Sequence, residues 1–174
     1  MNVDLHIHTT ASDGNLTPKE VVTTAKKIGL NSIAITDHDT VTGLQEGIKT
    51  AKQEKIELVP GIEFNTDYQE TEIHILGYYI DYQNQKFLKK LENIKESRQN
   101  RVKKMINKLK SLGLKVNWNE IVELAGNSVV GRSEVAKLLL KKGYVDNWNE
   151  AFNQYISHEA PAYVKRTALT PKQA

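Results

Sequence analysis

Asn31-Ser32-Ile33-Ala34-Ile35-Thr36-Asp37-His38-Asp39 is a short apolar run that breaks abruptly into polar residues. Such a run reads as a strand buried on both faces of a parallel sheet, with chemistry at its exit. On its N-terminal side, Thr17-Pro18-Lys19-Glu20 reads as a capping box with proline at the first helical position. Val21, Val22, Ala25 and Ile28 follow at helical spacing, and Gly29 supplies the stop. On the other side a second helix is expected from Thr42 to Lys52, with Leu44, Ile48 and Ala51 inward. Strand alternating with helix predicts an α/β fold built on a parallel sheet.

Three neighbouring stretches repeat the pattern of a ligand-type side chain in a strand. In Asp4-Leu5-His6-Ile7-His8 the side chains alternate, so His6 and His8 share one face, about 7 Å apart along the strand. Glu57-Leu58-Val59-Pro60-Gly61-Ile62-Glu63-Phe64 carries Glu63 alone among apolar residues, where a carboxylate is costly to bury without a cation or other partner. Glu72-Ile73-His74-Ile75-Leu76-Gly77-Tyr78 sets His74 in a core-like strand. Asp13 lies in the small-residue loop from Thr9 to Gly14, whose Asp-Gly pair favours a turn that folds the carboxylate over the strand end. His38 is the ligand candidate of the central strand, with Asp37 or Asp39 to hold its second ring proton; the plainer role for those aspartates is helix capping before Thr40-Val41-Thr42-Gly43.

His6, His8, Asp13, His38, Glu63 and His74 thus form the expected ligand set of a multinuclear metal site, with Glu63 as bridging ligand. Imidazole and carboxylate without thiolate suit Mn²⁺, Zn²⁺ or Fe²⁺ better than an all-oxygen Mg²⁺ cage, although Mg²⁺ stays open. The chain has no cysteine, which excludes a zinc ribbon.

The stretches Asp4-Leu5-His6-Ile7-His8-Thr9 with Ser12-Asp13-Gly14, Ile35-Thr36-Asp37-His38-Asp39, Pro60-Gly61-Ile62-Glu63 and His74-Ile75-Leu76-Gly77 together resemble the PHP superfamily of polymerase and histidinol phosphatase domains. Thr17-Pro18-Lys19-Glu20, Gly131-Arg132, Lys142-Gly143-Tyr144-Val145 and Pro161-Ala162-Tyr163-Val164 are similar to its branch of nucleoside 3′,5′-bisphosphate phosphatases and 5′-to-3′ exoribonucleases. The resemblance implies a distorted (β/α)7 barrel, incomplete in this chain, with an inserted all-helical cap and two or three divalent ions. It also implies three further ligands, a later histidine and an Asp-x-His pair, that this sequence lacks. Where the branch usually continues Gly-Arg with Pro-His, this chain has Ser133-Glu134, which puts in doubt a substrate contact from that position.

At 174 residues and 39% hydrophobic content the chain can bury a real core. The first residues already read as a ligand strand, and no signal peptide or membrane segment is evident, so a cytoplasmic protein without obligate protein partner is expected. A net charge of +3 conceals an asymmetry. Residues 1–80 carry six Lys or Arg against twelve Asp or Glu, whereas residues 86–110 carry ten basic against two acidic ones. An acidic, cation-loaded basin and a basic helix suit a phosphorylated substrate; a solvated helix face is the plain alternative.

From Asp81 the pattern changes to Phe87, Leu88, Leu91, Ile94, Val102, Met105, Ile106, Leu109 and Leu112, one apolar stripe of a long helix ended by Gly113. Shorter helices are expected near residues 117–125, 131–142 and 146–156, with Trp118, Trp148, Phe152 and Tyr155 as a small core. The expected organisation is a barrel portion over 1–80, a helical insertion over 81–157 and a return to the barrel over 158–174. Pro161 to Arg166 reads as the return strand, and Thr170-Pro171-Lys172-Gln173 repeats the helix-start grammar, so the expectation is an N-terminal part of a longer enzyme.

Hydrolysis by a metal-activated water follows from the expected metal site, and the resemblance implies as substrate a nucleoside 3′,5′-bisphosphate or a 5′-phosphorylated short oligonucleotide. Arg132 is the phosphate-clamp candidate, its alternative being a solvated helix-start arginine, and Lys165 and Arg166 are similar candidates. His158 reads as an ordinary surface residue. The rival readings are a histidinol-phosphate-type small-molecule phosphatase and a non-catalytic metal-binding PHP domain.

Overall fold

The computed structural model describes residues 2–69, 71–126, 129–167 and 169–174. The chain forms two compact units, residues 1–92 with 168–174 and residues 93–167. Their first boundary falls inside the long helix rather than in the loop before it.

The first unit is an α/β sheet of four strands in the order β1-β2-β3-β4. β1 is Val3–Ile7, α1 Pro18–Lys27, β2 Ser32–Ile35, α2 Leu44–Glu54, β3 Glu57–Tyr68 and β4 Thr71–Tyr78. All four residues of β2 are buried, because the strand is flanked by parallel neighbours and covered by apolar helix faces. Val21, Val22 and Ala25 of α1, Leu44 and Ala51 of α2, and Ile33, Ala34, Ile35, Val59 and Ile62 of the sheet supply this core. Thr17 caps α1 as expected: its hydroxyl accepts the Glu20 N–H, and Glu20 reaches back to the Thr17 N–H.

The sheet is not wholly parallel. β3 runs antiparallel to β4 as a long hairpin, with Asn65 opposite His74 and Glu63 opposite Leu76. The two-residue connection between the strands leaves no room for a crossover helix, which is what a parallel pair would need. His74 therefore sits mid-strand in a hairpin rather than at a strand exit. The sheet curls, and the Tyr78 hydroxyl at the end of β4 donates to the Leu5 carbonyl of β1 at 2.9 Å.

In the helical unit, a long helix α3 (Gln85–Ser111) that begins in the first unit is followed by α4 (Trp118–Ala125), α5 (Arg132–Lys141) and α6 (Trp148–Ala151). The last continues directly into a π-helical turn at Phe152–Ile156. The core here is aliphatic: Val102, Met105, Ile106 and Leu109 of α3 pack with Ile121, Val135, Leu139 and Ile156. Trp118, Phe152 and Tyr155 lie at its margin, whereas Trp148 is 40% and Leu112 45% exposed, so those two do not belong to it. Residues 161–167 form no strand; the chain rejoins the first unit's sheet through a bridge between Leu169 and Thr66. Pro161 explains part of this, since it lacks an N–H to offer a ladder. Thr170 then donates its N–H and hydroxyl to Gln173 Oε1, a helix-start arrangement. No helix among the described residues is long and apolar enough to cross a membrane.

Candidate metal centre

Glu63 organises the site. Its carboxylate is 2% exposed, and four imidazoles converge on it. His6 Nε2 and His8 Nε2 each lie 2.9 Å from Oε2, His38 Nδ1 lies 3.5 Å from Oε2, and His74 Nδ1 lies 2.7 Å from Oε1. The hairpin register brings in the last of these. Opposite residues are Glu63 with Leu76 and Asn65 with His74, so Glu63 and His74 are diagonal neighbours on one face.

The two N-terminal histidines come closer than a regular strand allows. β1 ends at Ile7 and its register against β2 shifts between Asp4 and Ile7, so His8 lies just beyond the strand and turns back; the His6 and His8 Nε2 atoms are 3.1 Å apart. Asp13 joins from the following loop, with Oδ1 3.1 Å from His8 Nδ1 and Oδ2 3.7 Å from His38 Nε2. Three overlapping ligand triads result: His6, His8 and Glu63; His8, Asp13 and His38; His38, Glu63 and His74. His8, His38 and Glu63 each belong to two of them. Four imidazoles and two carboxylates with ligand atoms this close are a donor set that fits divalent transition ions.

The loop that carries Asp13 is tied down by a residue with a different expected role. Asp37 is 1% exposed, and its carboxylate accepts hydrogen bonds from the Thr9 N–H at 2.7 Å, the Thr9 hydroxyl at 2.7 Å and the Ser12 hydroxyl at 2.6 Å. Asp37 thus anchors residues 9–12 instead of holding the His38 ring. Asn65 meets that ring: its Nδ2 lies 3.2 Å from His38 Nδ1 and donates to Asp39 Oδ2 at 2.9 Å. Asp39, at φ +53°, acts one step removed, by orienting Asn65. Gly14 closes the loop. A Cβ there would stand 2.3 Å from the His8 carbonyl oxygen, so only glycine lets the loop pass so near the strand end.

Burial holds the His38 imidazole below its ordinary 6.5, and this outweighs the pull of Glu63 and Asp13. Burial pushes the Glu63 carboxyl up, but the His6 hydrogen bond and the charges of His38, His6 and His74 together prevail, leaving it below its ordinary 4.5. Both groups bind protons less readily folded than unfolded, so both favour the fold at higher pH. In chelator-treated protein the thermal midpoint should therefore fall as pH drops, first below 6.5 through His38 and then below 4.5 through Glu63. A midpoint that rises on acidification through that window would contradict this electrostatic picture.

Arg132 opens α5 with its guanidinium 5.7 Å from the Phe152 ring centroid. Glu134, buried, accepts the Gly131 N–H at 2.9 Å and pairs with Lys137 at 3.3 Å. The unusual Ser133-Glu134 pair is thus part of the helix start, where a carboxylate satisfies an otherwise unpaired N–H. Arg166 is half-buried, Lys165 is exposed, and exposed His158 lies against Tyr163, with ring centroids 5.0 Å apart.

The PHP domain family matches residues 4–162. The chain is 36% identical over 162 residues to a 5′-3′ exoribonuclease of Haemophilus influenzae, covering 93% of this chain and 59% of that protein. It is 30% identical over 164 residues to a 3′,5′-nucleoside bisphosphate phosphatase of Chromobacterium violaceum, covering 94% and 58% respectively. Among solved structures, a Bifidobacterium adolescentis protein designated a metal-dependent phosphoesterase superposes with a TM-score of 0.82 at 26% identity, covering 98% of this chain and 60% of that one. An amidohydrolase from Chromobacterium violaceum, solved with sulfate and without metal, gives a TM-score of 0.82 at 29% identity with the same coverage. The chain thus spans about three-fifths of the length of these relatives.

Proposed function

The chain belongs to the PHP domain family, and on that premise we propose that it carries the metal-binding part of a phosphoesterase acting on nucleotides. The proposed substrates are nucleoside 3′,5′-bisphosphates or 5′-phosphorylated short oligonucleotides. The observation that carries the reading is Glu63, a carboxylate buried among four histidines and shared by two of three overlapping ligand triads. In the proposed assignment His6, His8, Asp13, His38, Glu63 and His74 hold two or three ions, Mn²⁺, Zn²⁺ or Fe²⁺ before Mg²⁺. When bound, such ions neutralise phosphate oxygens and acidify water for in-line displacement. The chain's own part is positioning: Asp37 fixes the loop that carries Asp13, and Asn65 orients the His38 ring.

The proposed architecture is the family's (β/α)7 barrel, of which the four-stranded sheet is one part and the helical unit an inserted cap. The edge strand β1, with Val3 49% and Leu5 41% exposed, supports further barrel strands that would cover it. The later histidine and the Asp-x-His pair of the family pattern have no counterpart in these 174 residues. Loaded with Mn²⁺, this chain should therefore hydrolyse adenosine 3′,5′-bisphosphate weakly or not at all, and a longer protein supplying those ligands should do so well. Comparable rates would show that the additional ligands are dispensable, and absence of turnover in both would defeat the phosphoesterase reading.

Arg132, Lys165 and Arg166 are the proposed phosphate contacts. In such a longer protein, Arg132→Ala should lower kcat/KM on the bisphosphate roughly 10- to 150-fold, the value of a charge-assisted bidentate contact of about 1.5–3 kcal/mol. p-Nitrophenyl phosphate, with no second phosphate to clamp, should be hydrolysed nearly unchanged. An equal loss on both substrates would assign Arg132 to the structure of α5 instead.

A further inference from the structure

Glu72 is a carboxylate beside the metal centre that belongs to none of the three ligand triads found among the described residues. It stands two residues before His74 in β4, and residues so spaced share one face of a strand. The hairpin register extends that face across β3, with Asp67 opposite Glu72, Asn65 opposite His74 and Glu63 opposite Leu76. The His74 ring is therefore flanked by two carboxylates. Its Nδ1 is 2.7 Å from Glu63 Oε1, and its Nε2 is 3.4 Å from Glu72 Oε1.

The direct cross-strand neighbour of Glu72 is Asp67, and like charges placed opposite each other weaken a hairpin. That pairing does not favour an acid at this position, whereas the chemistry of His74 does. An imidazole offers a cation the lone pair of one nitrogen while its proton resides on the other, and the partner of the protonated nitrogen decides which is which. His8 and His38 direct both ring nitrogens at carboxylates of the ligand set. The second nitrogen of His74 instead meets a carboxylate outside that set.

We propose that Glu72 is a positioning residue of the metal centre: by accepting the Nε2–H of His74 it keeps the ring proton there and leaves Nδ1, the nitrogen beside Glu63, to bind the ion. This role rests on the metal-centre reading, which supplies the ion that His74 would hold. The plain alternative is a surface ion pair between Glu72 and a protonated His74. The two differ in sign. An ion pair with the protonated ring competes with the metal, so its loss would leave affinity unchanged or raise it, whereas loss of an orienting acceptor lowers it.

Zn²⁺ affinity of this chain, measured by competition with a chromophoric chelator, reads the effect. His74 belongs to one triad only, so Glu72→Ala should weaken one equivalent of Zn²⁺ about tenfold. That is the low end of the range for such groups, because the two side chains are 41% and 43% exposed. Glu72→Gln retains an acceptor oxygen and should lose less. Glu57→Ala makes the same change of charge at an exposed position at the other end of β3 and should bind as wild type. Nitrogen-15 spectra of the histidine rings report the geometry, with His74 identified by its absence from His74→Gln. In the Zn²⁺-loaded wild type His74 should show a metal-bound Nδ1 and a protonated Nε2, a pattern kept in Glu72→Gln and lost in Glu72→Ala. The thermal midpoint in chelator should be the same in all three. Unchanged or tighter binding in Glu72→Ala, an Nε2-bound His74 in wild type, equal weakening by Glu57→Ala, or a lowered midpoint in chelator that accounts for the loss would each overturn the role while leaving the metal centre in place. A wild-type chain that takes up no Zn²⁺ would defeat the metal centre itself, and Glu72's role with it.

Discussion

Glu63→Gln strips the protein of its metal. The substitution keeps the size of the side chain and removes the one group that all four histidines face, at 2.7 to 3.5 Å. Glutamine offers a single weak acceptor oxygen in place of two charged ones, and two of the three ligand triads contain this position. Loss of groups that merely orient ligands costs roughly 10- to 100-fold in metal affinity, so loss of the shared ligand should exceed about 100-fold. Elemental analysis of chelator-stripped and Mn²⁺- or Zn²⁺-reloaded protein reads this directly. Metal content unchanged in Glu63→Gln would remove Glu63 from the bridging role, and with it the shared geometry of the triads.

Asp37→Ala unfolds the loop that carries Asp13. Two buried donors, the Thr9 N–H and hydroxyl, lose their acceptor at once, and the Ser12 hydroxyl keeps only longer contacts, such as that to Asp13 at 3.2 Å. Each unsatisfied donor is costly, and the set should remove about 3–5 kcal/mol. For a chain of this size that lowers Tm by roughly 6–20 °C, measurable by calorimetry in chelator so that metal plays no part. Asp37→Asn retains an acceptor oxygen and should lose less. A fall of a degree or two in Asp37→Ala would mean that the loop is held by other contacts.

The central strand was legible because Ile33-Ala34-Ile35 is a short apolar run between two helical patterns, the first of them capped. Glu63 stood out for the same reason: a lone carboxylate among apolar residues demands partners. The groups that hold the ligands in place were less visible, since their meaning depends on register. Asn65 reaches His38 because of where the hairpin pairs it, and the sequence between the two strands carries no glycine or proline to announce the reversal. Asp37 resembles a helix cap in sequence, and only the fold-back of residues 9–14 turns it into their anchor. Glu134 follows Arg132 by two residues and reads as a departure from a family motif, whereas its carboxylate closes the start of α5. Residues 161–166 read as a return strand yet have no partner edge among the described residues, and composition alone does not supply one.

The six ligand side chains, Glu63 among them, should hold ions side by side rather than one ion alone. Electron paramagnetic resonance of the Mn²⁺-loaded chain distinguishes the two, because ions bridged by one carboxylate couple magnetically. The expected spectrum is the broadened, temperature-dependent signal of coupled manganese, collapsing to free-ion signal in Glu63→Gln. A spectrum of isolated Mn²⁺, at one ion per chain and unaltered by that substitution, would refute the shared site.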